Sequence, residues 1–216
     1  MIKIYFMDDY AKKIDNNLFK LINNINNPLI LELGVKEGVS TKKFLDLCSK
    51  NNGHLYSVDK DDYSNVSNDS HWKFIKSRDD NFEFVKSKIP SKLDIIFIDT
   101  LHEADHVKNI FYNYYDLLKT GGYLFIDDIS HLPYINKKNK TSFYCEINNR
   151  ETFNKILEIY YFNYSNFSLN FSFQSSGLAI IQKLNSNKLE ESKKLSSKEH
   201  AIKNIVRKIW FSLKKI

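Results

Sequence analysis

The stretch Leu29-Ile-Leu-Glu-Leu-Gly-Val-Lys-Glu-Gly-Val-Ser40 decides the fold. Its apolar run reads as a buried parallel strand, Glu32-x-Gly34-x-x-x-Gly38 as a turn, and the capping pair Ser40-Thr41 as the opening of a helix. Glycines at such a turn let backbone amides approach a ligand closely. The helix N-terminus adds partial positive charge, so the crevice suits a carboxylate or phosphate. The spacing is neither the G-x-G-x-x-G of nicotinamide enzymes nor the G-x-x-x-x-G-K-[ST] of P-loops.

Upstream, Tyr10, Ala11, Ile14, Leu18, Leu21, Ile22 and Ile25 recur at helical spacing and predict one amphipathic helix over 8–24, packed on the sheet. Downstream, Phe44, Leu45, Leu47 and Cys48 face inward on a helix that Asn52-Gly53 closes. A second strand, 54–58, ends on Asp59, placed to accept hydrogen bonds from the ribose hydroxyls of an adenosine cofactor. A third, 72–75, runs into Lys76-Ser77-Arg78-Asp79. The fourth, 93–98, is almost continuously apolar, as a strand buried on both faces should be, and ends on Asp99. Thr100 to His106 follow, then a helix with Val107, Ile110, Phe111 and Tyr114 inward and His106 on its surface. Thr120-Gly121-Gly122 ends that helix, and a fifth strand, 123–126, ends on Asp127-Asp128.

Neighbouring parallel strands lie about 4.8 Å apart, so carboxylates ending strands four and five converge beside the glycine turn of strand one. Three hard oxygen donors, Asp99, Asp127 and Asp128, suit Mg²⁺ or a similar cation that keeps positions open for a substrate. His102, three residues beyond Asp99, is the side-chain type suited to take a hydroxyl proton near neutral pH.

A chain of 216 residues favours one α/β domain. Cys48 and Cys145, far apart and outside any C-x-x-C spacing, read as free thiols of a reducing compartment. No apolar run reaches the ~18–20 residues of a membrane span. The net charge of +6 sits in the tail: beyond residue 183 there are nine Lys/Arg against three Glu, which leaves 23 of each sign, from totals of 32 and 26, in 1–183. A neutral body with a basic appendage suits a tethering segment better than nucleic-acid binding.

The polar stretch 129–149, with His131, Tyr134, Lys137, Lys138, Lys140, Tyr144 and Glu146, lies where a substrate loop would sit. A helix over 150–161 and a hairpin of strands 166–173 and 178–182 follow. Residues 185–198 lack an apolar period and read as a linker. In the last segment Ile202, Ile205, Val206, Ile209, Trp210, Leu213 and Ile216 share one helical face, with Lys203, Arg207, Lys208, Lys214 and Lys215 around the other. Such a helix suits first docking on the body or on a second subunit, and second an interfacial membrane anchor.

Glu32-Leu33-Gly34 through Gly38-Val39-Ser40-Thr41 resembles motif I of class I S-adenosylmethionine-dependent methyltransferases, in the form found in catechol-type and macrocin-type metal-dependent O-methyltransferases. Asp99 and the run from Leu117 through Thr120-Gly121-Gly122 to Asp127-Asp128 resemble the metal-binding half of the same enzymes. The resemblance implies an α/β, Rossmann-like fold with a seven-stranded sheet of order 3-2-1-4-5-7-6, its last strand antiparallel. It implies S-adenosylmethionine held by Glu32, Gly34, Gly38 and Ser40 at the methionine end, Asp59 at the ribose and Asp79 at the adenine. Mg²⁺ would sit on Asp99, Asp127 and Asp128, with His102 as base. Two departures place the chain nearer the macrocin-type branch: the catechol type has Asn where this chain has Asp128, and Lys where it has His102.

The expected organisation is a methyltransferase domain over 1–183, a linker over 184–198 and a basic helix over 199–216. The expected activity is O-methylation of a small-molecule or sugar/glycan hydroxyl, with no DNA partner. The expected setting is cytoplasmic, with peripheral contact at the inner membrane surface or a homodimer through the tail. The rivals are a non-catalytic adaptor on the same fold and an RNA methyltransferase, although the Asn/Asp-Pro-Pro-aromatic signature of amino-group methylation is absent after strand four.

Overall fold

Each apolar run that the sequence places between polar turns becomes a strand of one sheet. A computed structural model describes residues 9–131, 143–196 and 201–214, the side chains of 143–146 excepted. The strands are β1 (Leu29–Leu33), β2 (His54–Asp59), β3 (Trp72–Lys76), β4 (Leu93–Ile98), β5 (Leu118–Asp127), β6 (Phe167–Ser172) and β7 (Leu178–Lys183). Their order is β3-β2-β1-β4-β5-β7-β6, with β7 antiparallel to both of its neighbours and the remaining pairs parallel. This is the order expected from the resemblance.

The central strands are apolar on both faces because both faces are covered. Leu31, Leu33, Ile96 and Ile98 pack with α4 (Ala104–Tyr115) and α5 (Phe143–Asn163). Ile30, Ile95 and Phe97 pack on the opposite side with the leading helix α1 (9–22) and with α2 (Val39–Asn51). A short helix α3 (Phe82–Lys86) follows β3, and α6 (Ile202–Leu213) ends the described chain. Cys48 is a buried free thiol whose pKa burial pushes up to about 12.

Three local features differ from expectation. The leading helix contains a π-helical segment, Asp15–Phe19. The wider turn advances the register, so Phe19 is buried beside Ile14, Leu18 and Ile22, while Leu21 turns out to solvent. Secondly, Thr120-Gly121-Gly122 lies inside β5 at a shift in register against β4, rather than ending α4. A Cβ at Gly122 would stand 2.8 Å from the Asp94 carbonyl oxygen, so only glycine lets the two strands close there. Thirdly, residues 184–196 lie against the body instead of hanging free: Glu190 N donates to Asn163 Oδ1, Ser192 N to the Tyr112 hydroxyl and Leu195 N to Glu158 Oε1. The tract 132–142, with Tyr134 and three of the lysines read as a substrate loop, lies outside the described residues.

Two buried ionisable groups fasten the helices to the sheet. Glu32 in β1 is fully buried and accepts from Ser40 Oγ (2.6 Å), Thr41 Oγ1 (2.8 Å) and Ser57 Oγ (2.6 Å), tying the start of α2 to β1 and β2. Lys13 in α1, also fully buried, donates to Asp127 Oδ1 at the end of β5, to Ser176 Oγ (2.7 Å) and to the Gly177 carbonyl (3.4 Å).

Burial pushes the Glu32 carboxyl from 4.5 to about 7, against the three hydroxyls, which favour the charged form. The folded chain therefore holds this proton more tightly than the unfolded chain does. Its contribution to stability is greatest below pH 4.5, falls as pH rises through the window to about 7, and levels off above it. Relative to Glu32→Gln, the unsubstituted protein should lose up to about 3 kcal/mol across that window in chemical denaturation; a flat or rising difference would refute the assignment. For the second group, Lys13→Met should cost roughly 3–5 kcal/mol by leaving a buried carboxylate uncompensated, and adding Asp127→Asn should restore most of it. Strictly additive losses in that double-mutant cycle would show that the pair is not coupled.

Candidate active site

Sheet register alone aligns the functional residues. Val58, Leu33, Ile98 and Ile126 pair in one row across β2, β1, β4 and β5. The next residues are Asp59, Gly34, Asp99 and Asp127, so these four stand side by side at the carboxyl edge. The ladder runs one step further there, with Gly34 N donating to the Val58 carbonyl and Asp99 N to the Leu33 carbonyl. Gly34 has φ +99°, and a Cβ on it would lie 1.9 Å from the Asp99 carbonyl oxygen. Only a residue without a side chain fits where β1 turns away beneath that oxygen. Gly38, at φ +71°, starts α2.

Above this row is a cavity of about 440 Å³ whose wall includes Gly34, Asp59, Asp79, Asp99, Thr100 and His106. Asp59 accepts from Val35 N through Oδ2 (2.9 Å) and from Asp61 N through Oδ1 (3.0 Å), which fixes the carboxylate and leaves each oxygen acceptor capacity. Thr100 Oγ1 is buried without a hydrogen-bond partner among the described residues. Of the residues the sequence marks for the cofactor, Gly34, Asp59 and Asp79 line this cavity. Glu32 and Ser40 lie beneath it, bonded to each other, and act on it by holding the turn.

His106 is in the cavity wall, not on the helix surface where the sequence reading put it. Its Nε2 lies 2.8 Å from Asp79 Oδ2, and the Tyr114 hydroxyl donates to the Asp79 carbonyl (2.8 Å). Burial works against the Asp79 carboxylate, but the bond from His106 keeps it below its usual pKa, and the same bond raises the imidazole's. Asp79, Asp80 and His106 bring three ligand atoms within 4.8 Å of one another. That trio is already neutralised: Arg78 bonds both oxygens of Asp80, and His106 bonds Asp79.

The other half of the site lies under α1. His102 Nε2 is 3.0 Å from Asp128 Oδ2 and 3.6 Å from Asp99 Oδ1. The Tyr10 hydroxyl donates to Asp99 Oδ2 (2.8 Å), and Asp127 Oδ1 accepts from Lys13 and from Asp128 N (2.8 Å). Burial raises the pKa of Asp99 and takes that of Asp127 to about 8, with His102 opposing the rise at Asp99 and Lys13 at Asp127. Asp128 adopts φ +56°, which turns its side chain out of the strand direction. Tyr10 and Lys13 were not among the residues picked out for the site. Their one sequence signal is a lysine three residues from a tyrosine on the inward face of an amphipathic helix.

The donor set fits a hard divalent cation. Asp99, Asp127 and Asp128 each keep one carboxylate oxygen free of hydrogen bonds among the described residues, and His102 stands beside two of the three. The three do not form a trio within 4.8 Å among the described residues, and one oxygen of Asp127 is paired with Lys13 of α1. The cofactor half fits an adenosine-bearing ligand, with glycine where backbone must be approached and a fixed carboxylate at the end of β2.

Comparisons with known proteins bear on the fold that carries this site. A family model described as a methyltransferase domain matches residues 31–129, the segment from β1 to just beyond Asp128. No curated protein sequence matches the chain. Among solved structures, the MycE methyltransferase of the mycinamycin biosynthetic pathway, in complex with Mg and SAH, is similar over 84% of this chain and 52% of its own, at 17% identity and a TM-score of 0.60. The present chain thus spans about half the length of that protein. A caffeoyl-CoA O-methyltransferase-like protein from Staphylococcus aureus is similar over 82% of each chain, at 20% identity and a TM-score of 0.57. An rRNA-methylase-like protein from Clostridium thermocellum is similar over 80% of this chain and 96% of its own, at 13% identity and a TM-score of 0.59. Identities this low carry the fold and nothing finer. Residues 31–129 thus match the model of a methyltransferase domain, and the chain shares its fold with these solved methyltransferase structures.

Proposed function

We propose that this protein transfers a methyl group from S-adenosylmethionine to a hydroxyl of a small-molecule or sugar acceptor, with Mg²⁺ or a similar cation on Asp99, Asp127 and Asp128. The observation that carries the reading is the double placement of Asp99. It lines the cofactor cavity and also stands 3.6 Å from His102, so cofactor and proton acceptor meet at one residue.

When bound, S-adenosylmethionine supplies an electrophilic methyl and a divalent cation lowers the pKa of the acceptor hydroxyl. The remaining work falls to the chain. Asp59 receives the ribose hydroxyls, the Gly34 turn admits the methionine end, and Asp79, braced by His106 and Tyr114, faces the adenine. His102 takes the hydroxyl proton as the acceptor oxygen bonds to the methyl carbon and the methyl–sulfur bond breaks, leaving S-adenosylhomocysteine. Asp128 and Asp99 stabilise the imidazolium so formed. In-line transfer needs alignment more than covalent help, and alignment is what a rigid sheet edge provides. MycE, of the same fold, was solved with Mg and SAH, which supports the cation reading. Nothing among the described residues of the site favours RNA over a small acceptor, and residues 1–183 carry no net positive charge to attract a polyanion.

S-adenosylhomocysteine at about 100 times its Kd should stabilise the protein by about 2.7 kcal/mol, read as a rise in Tm, and Asp59→Ala should remove most of that rise. No rise with either cofactor form would leave only the adaptor reading. With labelled S-adenosylmethionine and a panel of hydroxyl acceptors, His102→Ala should lower kcat by about 10²–10⁴ while the Tm response to cofactor persists. Asp128→Ala, which leaves the Lys13 pair intact and removes the ligand oxygen altogether, should abolish the Mg²⁺ dependence of the rate. A rate that ignores both Mg²⁺ and this substitution would place the reaction outside the metal-assisted class.

A further inference from the structure

The route of the chain after β7 is unusual for a linker. Lys183 lies at the amino edge of the sheet, where its ammonium reaches the carbonyl of Tyr115, the last residue of α4. From there the chain climbs back along α4 and α5. Glu190 O accepts from the Tyr112 hydroxyl (2.8 Å) and Asn163 Nδ2 (2.9 Å), Ser192 O accepts from Lys108 Nζ (3.3 Å), and Leu195 N reaches Glu158 Oε1 (3.1 Å). Glu158 is bridged through Lys155 to Asp105, in the first turn of α4 and three residues beyond His102. Moving from Tyr115 to Lys108 ascends about 10 Å of helix, at 1.5 Å per residue. The tail is thus returned to the edge of the sheet that carries the site. Ala201 is six peptide steps from Leu195, so the start of α6 stays within about 20 Å of that point.

What is delivered there is a helix with an uncovered apolar face. Ile202, Ile205, Val206, Ile209 and Leu213 form one stripe, between 44% and 81% exposed, and no residue of the helix is buried. Lys203, Arg207, Lys208 and Lys214 take the rest of the circumference with Phe211, and 201–214 contains no acidic residue. Trp210 lies at the boundary with the Lys214 ammonium 3.8 Å over its ring. Among the described residues, no helix is long and apolar enough to cross a membrane.

We propose that α6 is an interfacial anchor that holds the site-bearing edge of the sheet against an anionic lipid bilayer. On the methyl-transfer reading above, the acceptor is then a hydroxyl presented at that surface. Charge selects this occupant. A helix segment with four basic residues and no acidic one complements an anionic surface, whereas pairing two copies of the helix would bring eight basic residues together, and the balanced body offers no net attraction. A short apolar stripe flanked by an amphipathic tryptophan matches the depth of a headgroup boundary.

The test uses the full chain and sedimentation with vesicles of phosphatidylcholine alone or with about 30% phosphatidylglycerol. Binding should be at least about tenfold stronger to the anionic vesicles, should weaken in about 0.5 M NaCl, and should be lost in Ile205→Glu/Ile209→Glu. That variant should keep the Tm rise with S-adenosylhomocysteine, since both positions are exposed. Hydrogen exchange on vesicles should slow at 202–213 and at 101–106, and stay unchanged at the opposite edge, 119–122. Equal binding to both vesicle types, or a concentration-dependent dimer abolished by the same substitutions, would overturn the anchor. Protection at 119–122 in place of 101–106 would overturn the orientation. Vesicle binding without any cofactor-induced Tm rise in the unsubstituted chain would remove the acceptor half alone.

Discussion

A parallel sheet that ends adjoining strands on carboxylates must compensate them, and here the compensation comes from the leading helix. Asp99 and Asp127 follow neighbouring strands in the same row, Asp127 buried and Asp99 half-buried, with Asp128 next to them. Left alone, such a group of like charges would be strongly destabilising. Lys13 answers Asp127, Tyr10 answers Asp99, and His102 lies between Asp99 and Asp128. The helix is therefore part of the site as well as a cover for one face of the sheet. Its π-helical segment serves that double duty by setting Lys13 and Ile14 inward on one turn and Leu18 and Phe19 on the next.

The cofactor half rests on a different device. Glu32 gathers three hydroxyls under the glycine turn, and Ser57 in turn accepts from the Trp72 indole (2.9 Å), so β1, β2, β3 and α2 share one hydrogen-bond network. A turn held this way keeps its shape before any ligand arrives, and binding need not spend energy ordering it. The cavity's far wall, Asp79 with His106 and Tyr114, is braced from α4. The same helix lies close to His102 through the loop before it, so the two halves of the candidate site are positioned by the same few elements.

The tail gives the molecule a direction. A charge-balanced body has no long-range preference for one polyanion over another, whereas a terminal segment with a surplus of six positive charges does. Because 184–196 is pinned along α4 and α5, the proposed anchor would apply that preference at the edge of the sheet that carries the candidate site.

The sequence by itself determined the strands, the glycine turn and the identities of Asp59, Asp99, Asp127 and Asp128 as strand-end residues. These are local properties: an apolar run broken by glycine or aspartate reads the same in any context, and parallel register then brings the ends together. Tertiary structure alone decided which side chains answer those carboxylates. Lys13 meets Asp127 across 114 positions and Tyr10 meets Asp99 across 89, and no periodicity links residues so far apart. It also decided that His106 turns inward, because Asp79 arrives from a different strand, and that Thr120-Gly121-Gly122 extends a strand, because β4 passes close enough to exclude a Cβ. The path of 184–196 is of the same kind: backbone groups bonded to Tyr112, Asn163 and Glu158 leave no apolar pattern in the chain that makes them.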